Sequence, residues 1–298
     1  MSAPATEAAY AGLGTAARRH SAVWAALRGG YIIWYRDLLR WWRDRQRILP
    51  SLFQPILYLF VFGVGLGSAI GGIGGRAASA PAGVSYTTFM YPGILAMAVL
   101  FPAIFSSMSI VWDREFGFLK EIQVAPIPRG AVALGKALGG STPALIQSSV
   151  LLMLAPIVGV RVTPLMVVEV IGLLFLLACS LSALGVAIAS RMRTMEGFQV
   201  VMNFVMMPLL FLSGAFFPLQ GLPSWLALLT RLDPVAYAVD AIRRVVLGAA
   251  GVPPELVNSL AIAGPNGAPL PIPIEVGILL AFIAVGVSLA VRWFGALE

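Results

Sequence analysis

Six long apolar runs are the feature of this sequence that most restricts its fold. A helix of about 20 apolar residues crosses the hydrocarbon core of a bilayer, which is about 30 Å thick. The third run is longer than that, and we expect it to begin in the cytoplasm and to tilt. The runs predict an all-α integral membrane protein with six transmembrane helices. They cover roughly residues 49–69, 89–111, 131–160, 164–189, 198–215 and 274–291.

The composition agrees with a membrane environment. The chain is 59% hydrophobic and 11% charged, whereas soluble domains average about 45–50% apolar and about 25% charged residues. The lone cysteine, Cys179, lies inside an apolar run, so the chain cannot form an intrachain disulfide. The net charge of +7 does not predict a nucleic-acid partner, because the positive residues cluster at the ends of the apolar runs.

The region before the first run divides into two parts. Residues 1–22 are Ala-rich and polar without an apolar stretch, so we expect a disordered tail and not a signal peptide. Residues 23–48 mix aromatic rings with arginines, a composition that suits an amphipathic helix at the membrane surface. A basic nucleic-acid arm is the alternative, but it would leave many large apolar residues without a role. We expect residues 23–298 to form a single transmembrane domain.

The distribution of Lys and Arg predicts the orientation. If the N-terminus is cytoplasmic, 15 of the 20 Lys and Arg residues lie on the cytoplasmic side and five lie outside. Positive residues are enriched in cytoplasmic loops. The sequence therefore predicts a multi-pass protein with both termini in the cytoplasm.

The segment between the fifth and sixth runs is broken by Pro and Gly into pieces too short to cross a bilayer. Asp233 has the character of an N-cap with Pro234 at the first helical position, and a helix over 235–247 should stop at Gly248. Asp240 and Arg244 are four residues apart and predict an ion pair on this helix. We expect re-entrant or interfacial external helices here, covered by protein where their backbone is irregular.

The sequence holds few residues that suit catalysis or cofactor binding. Residues 130–136 resemble a phosphate-binding loop ending in Lys136, but Ala137 stands where a Mg²⁺-binding hydroxyl is needed. No group of His, Cys or carboxylates has metal-ligand spacing. We therefore expect no cofactor in this chain. Glu169 is the one carboxylate well inside an apolar run; it is a transport candidate or, being near the outer end, simply reaches the interface.

The fifth run and the segment after it carry the residues that would suit an amphipathic cargo. Methionine thioethers and aromatic rings form an adaptable apolar surface, although ordinary packing explains the same pattern. The candidate substrate path consists of Met202, Met206, Phe211, Phe216, Phe217 and Glu169.

The segment after the second run is the most charge-dense between the first and last apolar runs. Charged residues over 113–121 surround Phe116, Leu119 and Ile122, which share one face of a helix over 113–125 before Pro126. A short charged helix between two spans suits the transmission of force better than chemistry. A solvated interfacial loop is the alternative.

Two motifs resemble those of type-2 ABC exporter permeases, particularly the permeases of daunorubicin-resistance and nodulation-factor exporters. The first is Asp-Arg-Glu-Phe-Gly-Phe-Leu-Lys-Glu over 113–121, followed by Val-Ala-Pro over 124–126. The second is Ser-Gly-Ala-Phe-Phe-Pro over 213–218 with Leu222-Pro223-x-Trp225-Leu226 and Asp233-Pro234-x-x-Tyr237-x-x-Asp240-x-x-Arg243. The resemblance implies that residues 113–125 are the coupling helix that docks on an ATPase and that the helix over 23–48 also touches it. The implied docking residues are Arg114, Glu115, Phe116, Phe118, Leu119, Lys120, Glu121 and Ile122.

The resemblance also implies the assembly. This chain would be the membrane half of an ATP-driven exporter in a prokaryotic plasma membrane, paired with a second permease copy or a related permease. Two ABC ATPase subunits would bind ATP and Mg²⁺, and the cargo would be an amphipathic drug, lipid or lipid-linked glycan. Three alternatives remain: an ion-coupled secondary transporter, a membrane enzyme, and a scaffold subunit without transport. The first should show discontinuous spans in two repeats, and the second lacks suitable catalytic residues.

Overall fold

A computed structural model of the chain describes residues 24, 26–66, 85–116, 128–219, 222–264 and 267–295. Over these residues the regular structure is helical, apart from an isolated antiparallel bridge between Ala263 and Pro269. The predicted all-α class is confirmed for this part of the chain. The helices are α1 (26–43), α2 (Arg45–Phe60), α3 (Tyr86–Phe105), α4 (Met108–Glu115), α5 (Arg129–Leu152), α6 (Pro164–Ala189), α7 (Met195–Leu212), α8 (Ser224–Arg231), α9 (Pro234–Ala249), α10 (Pro254–Ser259) and α11 (Ile272–Gly295).

Four helical stretches within the described ranges are long and apolar enough to cross a membrane. They are Tyr86–Glu115, which joins α3 and α4, and then Pro164–Ala189, Met195–Leu212 and Ile272–Trp293. They correspond to the second, fourth, fifth and sixth predicted spans. Helices α2 and α5 lie in the first and third predicted spans. Each is less apolar than these four stretches, because α2 begins among charged residues and α5 carries Lys136 and Gln147.

Local sequence signals explain where several helices begin. Thr163 caps α6 by accepting a hydrogen bond from the Met166 N–H at 3.2 Å, and Pro164 occupies the first helical position. Thr194 caps α7 in the same way through the Gly197 N–H at 3.2 Å. Thr194 therefore marks the end of the short turn between α6 and α7, which Arg114 contacts, as described below.

The predicted cap of α9 is present, while its predicted end is two residues early. The Asp233 carboxylate accepts a hydrogen bond from the Val235 N–H at 2.8 Å, and Pro234 starts the helix. Burial raises the pKa of the Asp233 carboxyl well above its usual range. The helix continues through Gly248 to Ala249, because the turn that ends it is made by Gly251, which has a φ of +80°. The N–H groups of Gly251 and Val252 bond back into the last helical turn, as glycine-terminated helices commonly do.

The core is an interface of five helices. Helices α3, α5 and α6 pack on one another, and α9 and α11 pack on α6. Helix α3 is buried on nearly all sides. The buried apolar residues of α6 and α9 include Leu174, Leu177, Val239 and Ile242, all of which are completely inaccessible to solvent.

Some predicted boundaries are wrong by several residues. The N-terminal helix predicted over 23–48 ends at residue 43, and α2 begins directly after Asp44. The third span, predicted to reach residue 160, ends as an α-helix at Leu152 and is followed by a 3-10 turn, Ala155–Val158. In the first span, the α-helix passes into a π-helical segment, Val61–Leu66.

The predicted charged helix over 113–125 does not begin as a separate element. Its first three residues are the last turn of α4, so they continue the second span, and Phe116 follows at the helix end. The rest of this motif, including Phe118, Leu119, Lys120, Glu121 and Ile122, lies outside the described residues.

Candidate functional site

Asp113, the first charged residue of the 113–121 motif, belongs to a partly buried cluster of two cations and two carboxylates. We call it the charge cluster, and it consists of Arg36, Asp37, Asp113 and Lys136. Lys136 Nζ lies 3.0 Å from Asp113 Oδ2 and 3.1 Å from Asp37 Oδ2. Arg36 Nη2 lies 3.1 Å from the same Asp113 oxygen. Lys136 and Asp113 are only 4% and 3% exposed, so neither charge would be tolerated without its partners.

Lys136 is fully occupied in this arrangement. Its ammonium group also donates a hydrogen bond to Ser109 Oγ at 2.9 Å, so its three N–H donors have three acceptors. The charge cluster therefore joins α1, α4 and α5 at one end of the bundle.

This geometry also bears on the phosphate-loop pattern over 130–136. Those residues form the first turns of α5 and not a loop. Gly135 faces Gly30 so closely that a Cβ at that position would lie 2.7 Å from the Gly30 carbonyl oxygen. Neither the backbone nor the Lys136 side chain is free to hold a phosphate.

Arg114 contacts a different part of the bundle, the turn after α6. Its guanidinium donates hydrogen bonds to the carbonyl oxygens of Ser190, at 2.7 Å, and of Met192. These carbonyls lie just after the end of α6, where the last backbone acceptors of a helix have no partner within the helix. Asp113 thus ties the end of α4 to α1 and α5, and Arg114 ties it to the turn between α6 and α7.

The residues that follow turn outward. Glu115 is exposed, and the Phe116 ring is 68% exposed although it is a large apolar group. The two docking candidates that lie at the described end of the motif are therefore accessible to a partner.

Residues of the second motif, over 213–243, pack against α3. Arg243, which is 2% exposed, donates to the carbonyl oxygen of Gly214 and stacks with its guanidinium carbon 4.4 Å from the centre of the Phe89 ring. Gly93 faces Ala215 so closely that a Cβ would lie 2.5 Å from the Ala215 Cα. The segment after α7 is held against the interior of the bundle by these contacts.

The predicted Asp240–Arg244 ion pair is confirmed and has a third member. Arg244 Nη2 lies 2.7 Å from Asp240 Oδ2 and also contacts Glu275, a fully buried residue at the start of α11. Arg244 further donates to the Leu270 carbonyl oxygen at 2.7 Å. This group joins α9 to α11.

The candidate substrate-path residues are not brought onto one surface within a single chain. Met202 and Met206 point into the core, at 0% and 3% exposure. Phe211 is on the outward face of α7, with its ring 6.0 Å from that of Phe216. Phe217 is half-buried and Glu169 is exposed.

Sequence reasoning missed the charge cluster as a unit. In the sequence Arg36 is one of several arginines in the N-terminal segment, Asp37 belongs to no motif, and Lys136 ends the phosphate-loop pattern. A usable signal was present, since a lysine within an apolar helix requires a buried partner. The partners, Asp113 and Asp37, are 23 and 99 positions away from Lys136 in the sequence. Nothing in the sequence pattern identifies them.

Comparisons with known proteins give one family. The family described as ABC-2 type transporter matches residues 30–247, a range that contains both motifs. The chain is 30% identical over 203 residues to a putative transport permease, ycf38, of Cyanophora paradoxa, covering 66% of each chain. It is 30% identical over 221 residues to nodulation protein J of Rhizobium meliloti (strain 1021), covering 72% of this chain and 80% of the relative. It is also 29% identical over 235 residues to the inner membrane transport permease YadH of Escherichia coli (strain K12), covering 77% of this chain and 86% of the relative.

Proposed function

Because this chain belongs to the ABC-2 type transporter family and is a membrane permease subunit of an ABC transporter, we propose that it is driven by ATP hydrolysis in a separate subunit. An ABC ATPase is the partner that the family implies. We further propose that two ATPase copies bind the ATP and Mg²⁺, while this chain carries neither.

The position of Asp113 and Arg114 is the observation that supports this proposal most. Two neighbouring residues at the end of α4 bind different parts of the bundle, Asp113 through a buried ion pair and Arg114 through partly buried hydrogen bonds. A partner that pushes on the residues after Glu115 would move α1 and α5 through Asp113 and the α6–α7 turn through Arg114. We propose that residues 113–125 act as the coupling element and that Arg114, Glu115, Phe116, Phe118, Leu119, Lys120, Glu121 and Ile122 contact the ATPase.

We propose six membrane spans, of which the first is α2 together with its π-helical continuation, Val61–Leu66, and the third is α5. The 24 residues of α5 extend about 36 Å at 1.5 Å per residue, which is enough to cross the hydrocarbon core. Helix α9, with 16 residues, extends only about 24 Å, which supports a re-entrant position for α8 and α9. Residues 1–22 would be a separate tail, and residues 23–298 one transmembrane domain with both termini in the cytoplasm.

We propose that two permeases face each other across α7. The outward face of this helix is strongly apolar, with Phe204 80%, Val200 68% and Met207 60% exposed. A second copy or a related permease would cover part of this face. The cargo path would then run between the two subunits, past Phe211, Phe216 and Phe217. Glu169, Met202 and Met206 complete the proposed path, the two methionines as adaptable packing behind it.

We propose that the cargo is an amphipathic drug, lipid or lipid-linked glycan moved outward across a prokaryotic plasma membrane. Reconstituting the chain with its ATPase in vesicles tests the proposal. Movement of a fluorescent amphiphile should require ATP and should stop when the ATPase cannot hydrolyse it. Transport that persists without ATP and collapses with the proton gradient would instead identify an ion-coupled transporter. An ATPase that binds the chain without any cargo movement would favour a scaffold.

A further inference from the structure

A groove between α1, α3, α4 and α5 lies beside the charge cluster and shares Asp37 with it. It is a cleft of about 210 Å³ whose polar end is formed by Arg40, Asp44 and the paired Asp37. Phe101 and Phe105 of α3 continue its wall. These two rings also line a second cleft of about 410 Å³, which extends between α2 and α3 to Pro55 and Met97. Together the two clefts, which we call the α1–α3 groove, change from charged to apolar along their length.

The positive and negative charges at the polar end of the α1–α3 groove balance each other. Asp37 is already paired with Lys136. Asp44 occupies the cap position of α2, yet its carboxylate makes no capping hydrogen bond. Arg40 and Asp44 are both exposed, and neither has an ion-pair partner within the described residues. Arg40 and Asp44 thus place one cation and one anion at the same end of the groove. This arrangement is complementary to a ligand that carries both a negative and a positive charge.

Gln147 adds an independent sign of a ligand. It lines the inner part of the cleft and is 3% exposed, and its side-chain oxygen has no hydrogen-bond partner within the described residues. A buried polar atom without a partner is costly unless something else satisfies it. A glutamine amide that rotates by half a turn can present either an acceptor or a donor, so it can serve a ligand hydroxyl or an ester carbonyl.

We propose that the α1–α3 groove binds a zwitterionic phospholipid. Arg40 binds the phosphate and Asp44 binds the ammonium group. The Gln147 amide, rotated by half a turn so that its NH₂ group takes the place of the unpartnered oxygen, donates to an ester carbonyl. The acyl chain lies along Phe101, Phe105 and Met97. Charged and aromatic residues at one end and apolar residues at the other reproduce the polarity of half a bilayer. The inference does not depend on the identity of the exported cargo.

Lipid retention by the intact purified protein tests the proposal. The detergent-solubilised chain is incubated with equal amounts of phosphatidylethanolamine and phosphatidylglycerol and then washed. Native mass spectrometry measures the ratio of the two lipids that remain bound. The unmodified protein should retain phosphatidylethanolamine in preference. Asp44→Asn should shift the ratio towards phosphatidylglycerol by about three- to five-fold, the effect of one exposed ion pair. Arg40→Gln should lower retention of both lipids.

The control is Arg43→Gln, because Arg43 is exposed on the same helix and does not line the groove; it should leave the ratio unchanged. Gln147→Leu supplies a second measurement. This variant should unfold at the same or a higher temperature than the unmodified chain, yet gain less from added phosphatidylethanolamine. Equal retention of the two lipids by the unmodified protein, or the same ratio in Asp44→Asn and in the unmodified chain, would overturn the proposal.

Discussion

Two neighbouring residues at the end of α4 connect this helix to different parts of the bundle. Asp113 and Arg114 are neighbours in the chain, but their side chains bind different parts of the bundle. The carboxylate is held by ions from α1 and α5, and the guanidinium is held by backbone carbonyls after α6. Both contacts are charge-assisted; the Asp113–Lys136 pair is buried, while the Arg114 hydrogen bonds are partly buried. A buried charge is the more costly to leave without its partner.

Replacing Lys136 with Met tests the charge cluster. The substitution keeps the length of the side chain and leaves two carboxylates with only Arg36, so we expect a loss of about 3–5 kcal/mol in the free energy of unfolding. Thermal unfolding in detergent measures the effect. The double variant Lys136→Met/Asp113→Asn should recover part of the loss, because the remaining Arg36 and Asp37 form a neutral pair. A single variant as stable as the unmodified chain would show that the cluster does not hold the three helices together.

Replacing Arg114 with Lys tests the second contact. Lysine keeps the charge but cannot donate in a fork to the carbonyls of Ser190 and Met192. We expect about 1–3 kcal/mol of lost stability and a larger loss of ATP-driven transport than of ATP hydrolysis. Arg193→Lys is the matched control, because Arg193 is exposed in the same turn. Equal transport per ATP in Arg114→Lys and the unmodified complex would contradict the proposed role of this residue.

At the scale of elements, the start of a helix was predictable where its capping residues are adjacent in the sequence. Thr163 with Pro164, and Asp233 with Pro234, mark helix starts that depend only on neighbouring residues. The position of α9 was not predictable in the same way. Its sequence is amphipathic, but in the structure it is buried against α6 and α3 because Arg243 has its partners there. The charge cluster was missed for the same physical reason, since pairing over long separations leaves no periodic trace in the sequence.

The crossing of α3 and the segment after α7 depends on Gly93. A Cβ added there would lie 2.5 Å from both the Cα and the Cβ of Ala215, and a backbone atom cannot move aside easily. We expect Gly93→Ala to cost about 1–3 kcal/mol of stability, measured by thermal unfolding in detergent. Gly172→Ala on α6 is the control, because nothing lies within 4 Å of its added Cβ. If both variants unfold at the same temperature, the close approach is not a constraint on the fold.

At the scale of the whole molecule, the exposed end of α4 should determine assembly with the ATPase. Burying the Phe116 ring in a partner groove would contribute roughly 1.5–3 kcal/mol at most, part of which is offset by the cost of association. We expect Phe116→Ala, and more strongly Phe116→Ala/Leu119→Ala, to reduce recovery of the ATPase complex while membrane insertion is unaffected. Trp225→Ala is the control, since this ring is 64% exposed on α8. Full recovery of both complex and cargo-stimulated ATP hydrolysis in the double variant would exclude this segment as the coupling element.

The proposed orientation connects these elements to the two sides of the membrane. With the N-terminus inside, 15 of the 20 Lys and Arg residues face the cytoplasm, the charge cluster lies on the ATPase side, and α10 lies outside. In a chain with Cys179→Ala, a cysteine replacing the exposed Glu255 of α10 should react with an impermeant thiol reagent in intact cells. Ser2→Cys should react only after the membrane is opened. The opposite labelling pattern would invert the protein, place Phe116 on the side without ATP, and thereby remove the basis for coupling through α4.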